Sequence, residues 1–268
     1  MSSIQHLWID KWFEPPVVPL SENRSFLFGD GFFETMRWSP EKQCHLWDFH
    51  WNRIQKTVNA LQFPWPTVWE NGSFFEWVAS KIPNKGLFDF RVKLVFFRVG
   101  KGRYAPEVTS PGIWFEIEPI MLPWVQTISR IGLSEKVVIA KTPISWVKST
   151  SALHYVMAGI EKKERNLDDL VLTDSNGFLV EGSFSSIFWS RGGKLFLPAE
   201  YLGGLDSCMR KFLIQYWNQN KIGFEEVEKS WPEVENADWI AFGSGTGIRF
   251  WINGLQNIPF HILPEILR

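Results

Sequence analysis

The chain has 268 residues, 45% of them hydrophobic and 21% charged, and a net charge of -1. That balance belongs to a globular protein long enough for two small domains or one large α/β domain, and it excludes a disordered chain. No basic tract offers a footprint for nucleic acid, no basic-then-apolar leader opens the sequence, and no run of about 18 apolar residues could span a membrane.

Two cysteines, Cys44 and Cys208, make neither a disulfide framework nor a metal-site spacing, so no metal is expected. Their scarcity fits a reducing, cytoplasmic setting. The 16 tryptophans point either to a bulky core with an interface or to a drift towards Trp at surface and core positions alike.

In chain order, Arg24 to Trp38 begins apolar, turns at Gly29-Asp30-Gly31 and continues as a strand. Trp47 to Gln62 has helical spacing, with Phe49, Ile54, Val58 and Leu61 on one side and Asp48 in the first turn. Ser73 to Ile82 reads as a helix with Ser73 at the N-cap and Glu76 completing a capping box. Arg91 to Val99 and Gly112 to Ile120 are rich in β-formers, and the text between them is a Gly/Pro loop. Two prolines within Pro119 to Gln126 mark a boundary. The expected organisation is a small N-terminal α/β domain over 1–118, a linker over 119–126 and a larger C-terminal α/β domain over 127–268.

The second half should hold a strand over Lys136–Lys141 and a helix from Ser149 to about Arg165. Strands follow over Leu170–Thr173 and Phe178–Ser190, the latter hinged at Gly182. Asn176-Gly177 between them is a hairpin turn. A helix over Asp206–Gln219 and a strand over Ala237–Phe242 complete the pattern of mixed strands and helices, α+β or α/β.

Four segments carry chemistry. Lys148, read at the start of a helix, is either a surface lysine or an amine whose basicity the helix end suppresses, as a Schiff-base lysine requires. Lys141 competes with it on sequence alone. Glu181 interrupts an apolar strand ahead of Gly182 and a row of serines. Such a carboxylate is either an exposed edge residue or the partner of a protonated heterocycle. Gly243-Ser244-Gly245-Thr246-Gly247 is a plain turn or a cradle whose amides and hydroxyls approach a phosphate. It lacks the helix and glycine spacing of a dinucleotide fingerprint. Leu205-Asp206-Ser207-Cys208-Met209-Arg210 opens a helix, and helix starts suit anions.

Together, from Phe26 to Ile248, these segments resemble the class IV aminotransferase family, which includes D-amino-acid and branched-chain aminotransferases and 4-amino-4-deoxychorismate lyases. FGDGFFETMRW resembles the family's early strand, and HLWDFHWNRIQKTVNAL its helix with a phosphate-binding arginine, here Arg53. VEGSFSSIFW, GLDSCMR and FGSGTG resemble three further family motifs.

The resemblance implies a mixed α+β fold of the fold-type IV kind, in two domains like those of D-amino-acid aminotransferase. It also implies pyridoxal 5'-phosphate (PLP) as cofactor and a homodimer. Lys148 would carry the cofactor and Glu181 would face its ring nitrogen. Arg53, the amides of Cys208 and Met209, and Ser244, Thr246 and Gly247 would hold its phosphate. Phe33, Arg98 and Arg103 are the substrate-site candidates. The chain departs from the family at several positions. Phe33 lacks the hydroxyl of the D-amino-acid enzymes, Leu153 replaces the branched-chain tyrosine, and Ser151 and Ser186 stand where asparagines are common. The implied substrate is a small amino compound. The favoured activity is lyase-like elimination giving pyruvate and 4-aminobenzoate. Transamination of a branched-chain or D-amino acid, and an inactive binding protein of the same shape, are the alternatives.

Overall fold

The computed structural model describes residues 4–9, 11–13, 20–40, 44–83, 88–107, 109–254 and 257–267. The chain divides into two compact units. Unit 1 is Met1–Met121 with Val147–Ser151, and unit 2 is Leu122–Trp146 with Ala152–Arg268.

Unit 1 is built on one antiparallel five-stranded sheet. Its strands are β1 (Ile4–Ile9), β2 (Lys11–Phe13), β3 (Gly31–Trp38), β4 (Asp89–Gly100) and β5 (Thr109–Ile120), in the order β2-β1-β5-β4-β3. Its helices are α1 (Arg24–Phe28), α2 (Trp47–Ala60) and α3 (Asn71–Ala79). Alternation along the central strands buries Phe32, Met36, Val92, Leu94, Phe96, Ile113 and Phe115 on one face. Aromatic rings from α2, α3 and the segment between them fill that side. Phe74 lies 6.1 Å from Phe96, Trp65 lies 5.8 Å from Phe96, and Trp77 lies 5.9 Å from Phe115. Much of the tryptophan excess is spent here, since Trp38, Trp47, Trp51, Trp65, Trp69 and Trp77 all join this ring network.

The expected strands of this unit are present, β4 and β5 each slightly longer than read; Val108 of the loop between them lies outside the described residues. α2 starts at Trp47 as expected and ends at Ala60. The start of α3 differs from the reading. Glu70, not Ser73, is the N-cap, and Ser73 sits at the third helical position with its hydroxyl accepting the Glu70 N–H at 2.9 Å. A capping box is present, but it joins Glu70 to Ser73 and not Ser73 to Glu76, which lies further along the helix. Asn71, in the first turn, accepts the Trp47 Nε1–H at 2.6 Å, which ties α3 to α2.

Unit 2 holds two sheets. Three strands, β7 (Ile131–Val138), β8 (Asp169–Thr173) and β9 (Leu179–Gly182), form one in that order. The other has the order β12-β11-β10-β13-β14-β6, from β6 (Val125–Ile128), β10 (Ser186–Arg191), β11 (Lys194–Pro198), β12 (Phe224–Val227), β13 (Trp239–Ser244) and β14 (Gly247–Ile252). Its helices are α4 (Leu153–Glu164), α5 (Cys208–Gln219) and α6 (Trp231–Val234).

β8 is buried along its whole length, and its two faces serve different cores. Leu170 and Leu172 pack with Ala158 of α4 and with Val180. Val171 packs with Ile187, Ile240 and Phe242 of the six-stranded sheet. The Asn176-Gly177 turn is present, with Gly177 at φ 83° and Asp174 accepting the N–H groups of Asn176 and Phe178. β7 begins earlier than the expected strand. Its register shifts between Leu133 and Val138, where the buried Glu161 carboxylate takes the amides of Glu135 and Lys136.

Candidate active site

In unit 1 the segment around Lys148 is not helical. α4 begins at Leu153, with Ala152 as its N-cap, five residues beyond the lysine. The helix-end argument for Lys148 therefore falls. Ser149 instead bridges to Phe32, and the Phe33 N–H donates to the Lys148 carbonyl at 2.9 Å. The Thr150 hydroxyl donates to the carbonyls of Gly29 at 2.9 Å and Gly31 at 3.1 Å. The Thr150 hydroxyl, expected inside a helix, thus serves the Gly29-Asp30-Gly31 turn. Gly29 sits in the left-handed region at φ 68°, and a Cβ there would meet the Ser151 Oγ at 2.1 Å. The turn and the lysine segment are made for each other. They set the half-buried Lys148 with its Nζ 4.5 Å from the centre of the Phe33 ring. Lys141, the competitor, is exposed in unit 2 with its Nζ over the Tyr201 ring.

Arg53 lies in α2, three residues after His50, so both point the same way. Both reach Glu34 on the core face of β3. Arg53 donates through Nε at 2.8 Å and through a terminal nitrogen at 2.5 Å, and His50 Nδ1 lies 2.7 Å from the same carboxylate. Burial acts to raise the pKa of Glu34, but the Arg53 charge, with hydrogen bonds from Arg53 and His50, outweighs it and holds the value at about 2. Two of the five donors of Arg53 are thereby used to fix the plane of its guanidinium.

Arg98 and Arg103 differ sharply. Arg98 is buried and committed: it donates to Asp30 at 2.9 Å, to the Gln62 carbonyl at 2.9 Å and to the Leu61 carbonyl at the end of α2. Arg24, also buried, holds the other Asp30 oxygen at 2.8 Å and the Gly102 carbonyl at 2.9 Å, anchoring the loop that carries Arg103. Arg103 itself is exposed.

In unit 2, Glu181 lies in β9 opposite Leu172 and is only 4% exposed. Its Oε1 accepts the Tyr155 hydroxyl at 2.6 Å and its Oε2 accepts the Leu205 N–H at 3.0 Å. The next residues are pinned by buried Asp169, which takes the N–H and hydroxyl of Ser183 and pairs with Arg249. Gly182 ends β9, and four residues later Ser186 begins β10 in the other sheet.

The start of α5 and the Ser244–Gly247 turn lie beside that step. Ser207 caps α5, accepting the Arg210 N–H at 3.2 Å, and so sets the amides of Cys208 and Met209 at the positive end of the helix. The Ser207 hydroxyl meets that of Ser186 at 3.2 Å, and Ser186 donates to the Gly243 carbonyl at 3.0 Å. A Cβ on Gly243 would meet the Met209 side chain at 2.9 Å, so only glycine lets β13 lie this close to α5. Ser244 and Gly247 then pair across a tight turn in which the hydroxyls of Ser244 and Thr246 lie 3.0 Å apart.

Unit 1 thus brings together Lys148 and Phe33, and separately Arg53 with Glu34 and His50. Unit 2 brings the α5 start and the Ser244–Gly247 turn to one place, with Glu181 beside Leu205. The sequence reading missed Tyr155, Asp169 and the clamp that His50 and Arg53 make on Glu34. Only the clamp had a signal: the spacing of three between His50 and Arg53, and an acid in an apolar strand.

On a mixed α/β fold, unit 1 holds a lysine in a segment bonded to a glycine turn, and unit 2 holds a buried carboxylate and a helix start beside a serine–threonine turn, residue types that a PLP enzyme of fold type IV uses. The chain matches the amino-transferase class IV family over residues 31–250 and belongs to it. It is 22% identical over 224 residues to the aminodeoxychorismate lyase of Vibrio harveyi, covering 82% of this chain and 81% of that one. Its fold is that of the branched-chain aminotransferase of the archaeon Thermoproteus uzoniensis, solved with norvaline: TM-score 0.82, 20% identity, 97% of this chain and 92% of the other. An aminotransferase of Brucella abortus bound to PLP gives a TM-score of 0.81 at 16% identity, covering 96% of each chain.

Proposed function

We propose that this PLP enzyme is a lyase of the aminodeoxychorismate type, releasing pyruvate and 4-aminobenzoate. The observation that carries this reading is the apolar ring beside the lysine: Phe33, with no hydroxyl, lies 4.5 Å from Lys148 Nζ. In the sequence, Leu153 stands where the branched-chain enzymes have a tyrosine. The likeness to the Vibrio harveyi lyase supports it. Class IV transamination is the second reading, supported by the close match in fold to the Thermoproteus uzoniensis enzyme.

The residues present fit the cofactor, because the Ser186–Ser207 and Ser244–Thr246 hydroxyls and the α5 amides converge where Gly243 leaves out a side chain. When bound, PLP supplies a ring that draws off negative charge developing at the α-carbon of the substrate. Lys148 would hold it through Nζ, and the same nitrogen would move the substrate's α-proton. Glu181 holds a proton at the ring nitrogen. Arg53, the amides of Cys208 and Met209, and Ser244, Thr246 and Gly247 orient the phosphate. Arg103, on the anchored loop, is the residue for a substrate carboxylate, whereas Arg98 serves the anchor.

We also place a homodimer in this reading, supported by the exposed Phe26, Leu27, Phe28 and Tyr104 of unit 1; sedimentation at several concentrations tests it. Two buried free cysteines support a cytoplasmic setting. Among the described residues no helix is long and apolar enough to cross a membrane.

The purified protein should be yellow, and borohydride should fix the cofactor to Lys148. Aminodeoxychorismate should then yield 4-aminobenzoate, whereas amino acids with 2-oxoglutarate should yield little keto acid. The reverse pattern installs the second reading. Lys148→Ala should lose the covalent adduct and all turnover, and a variant that keeps turning over removes Lys148 from the chemistry.

A further inference from the structure

Tyr155 stands in the first turn of α4, seven residues after Lys148. Its ring packs on the core formed by α4 and the three-stranded sheet, alongside Ala158, Leu172 and Val180, which fixes where its hydroxyl points. That hydroxyl donates to Glu181 Oε1 at 2.6 Å, while the Leu205 N–H donates to Oε2 at 3.0 Å. The two oxygens of one buried carboxylate are thus gripped from two elements. Gly204 permits the second grip: a Cβ there would lie 2.9 Å from the Val180 side chain and 3.5 Å from Glu181 Oε2.

We propose that Tyr155 is a positioning residue for the cofactor ring. By donating to Glu181 it keeps the proton shared between that carboxylate and the ring nitrogen on the nitrogen. The inference rests on the reading of Glu181 as the ring's partner. The physical ground is simple. A proton shared between a carboxylate oxygen and a pyridine nitrogen sits on whichever is the stronger base. A hydrogen bond donated to the carboxylate stabilises its anion and makes it the weaker base. In a site that excludes water the phenol takes the place of a solvating water, and it does so at a fixed angle. The chain also links the two tasks. The helix that carries Tyr155 follows directly on the lysine segment, so the residue that attaches the ring and the residue that tunes its partner lie within eight consecutive positions.

The test uses PLP labelled with 15N in the ring, bound to the full-length holoenzyme. In the wild type the 15N resonance should sit at the pyridinium position. In Tyr155→Phe, which removes one oxygen from a packed ring, it should move towards the neutral pyridine position while circular dichroism stays unchanged. In Glu181→Ala it should lie at the neutral position, and adding Tyr155→Phe should move it no further, because the hydroxyl acts only through the carboxylate. An unmoved resonance in Tyr155→Phe, or equal displacements in the presence and absence of Glu181, overturns the inference while leaving the cofactor site intact. A wild-type protein that takes up no PLP overturns the proposed function, and this inference with it.

Discussion

Two of the buried glutamates, Glu34 in unit 1 and Glu181 in unit 2, are held differently. Glu34 in β3 is clamped by cations, Arg53 and His50, and its proton affinity is driven down to about 2. Glu181 in β9 has a phenol and a backbone amide among its donors. A cation cancels the charge it binds, whereas a neutral donor orients a carboxylate and leaves its charge in place. The first arrangement makes a structural joint, here one that also aims an arginine. The second makes a site that can greet a cationic ring.

The contrast can be broken by experiment. Its largest expected effect is on catalysis. Glu181→Ala should fold and bind PLP, yet lose about 100- to 1,000-fold in turnover, the scale of removing one electrostatic contact from an active site. Unchanged rates would reduce Glu181 to a bystander.

Next comes stability. Glu34→Ala leaves Arg53 and His50 buried without their acid and should cost about 3–5 kcal/mol in urea unfolding. Glu181→Ala, which strands the Tyr155 hydroxyl and the Leu205 amide, should cost about 1–3 kcal/mol. Equal losses would erase the distinction between the two sites.

The smallest effect is a matter of acidity. The folded value of Glu34 lies below its ordinary 4.5, so its contribution to stability is complete above 4.5 and drains away as pH falls toward 2. Wild-type protein should lose urea resistance across that window, and Glu34→Gln should lose less. Parallel curves for the two proteins would show that the clamp contributes nothing.

Local signals made much of this legible in advance. The Asn176-Gly177 turn, the β-rich text of β4 and β5, and the helical spacing of α2 depend on neighbours along the chain, and all three are present. The failures share a cause as well. Ser149, Thr150 and Ser151 are expected in the first turn of a helix, but the Thr150 hydroxyl bonds Gly29 and Gly31, which lie 121 and 119 residues away in sequence. Glu70 took the cap expected of Ser73 because either member of an acid–hydroxyl pair can do that job. Arg98 read as a ligand group, and no pattern in the sequence could tell that Asp30 and the end of α2 would claim it. Tyr155 left no trace either, since its role exists only once α4 lies on β9.

The step at Gly182 has a mechanical corollary. Glu181 belongs to the three-stranded sheet, while Ser186 and the Ser244–Gly247 turn belong to the six-stranded one. A ligand gripped at its ring by the former and at its phosphate by the latter would act as a rivet across the seam. Loading should therefore slow proteolysis of the 183–185 crossing more than it slows cleavage elsewhere in unit 2.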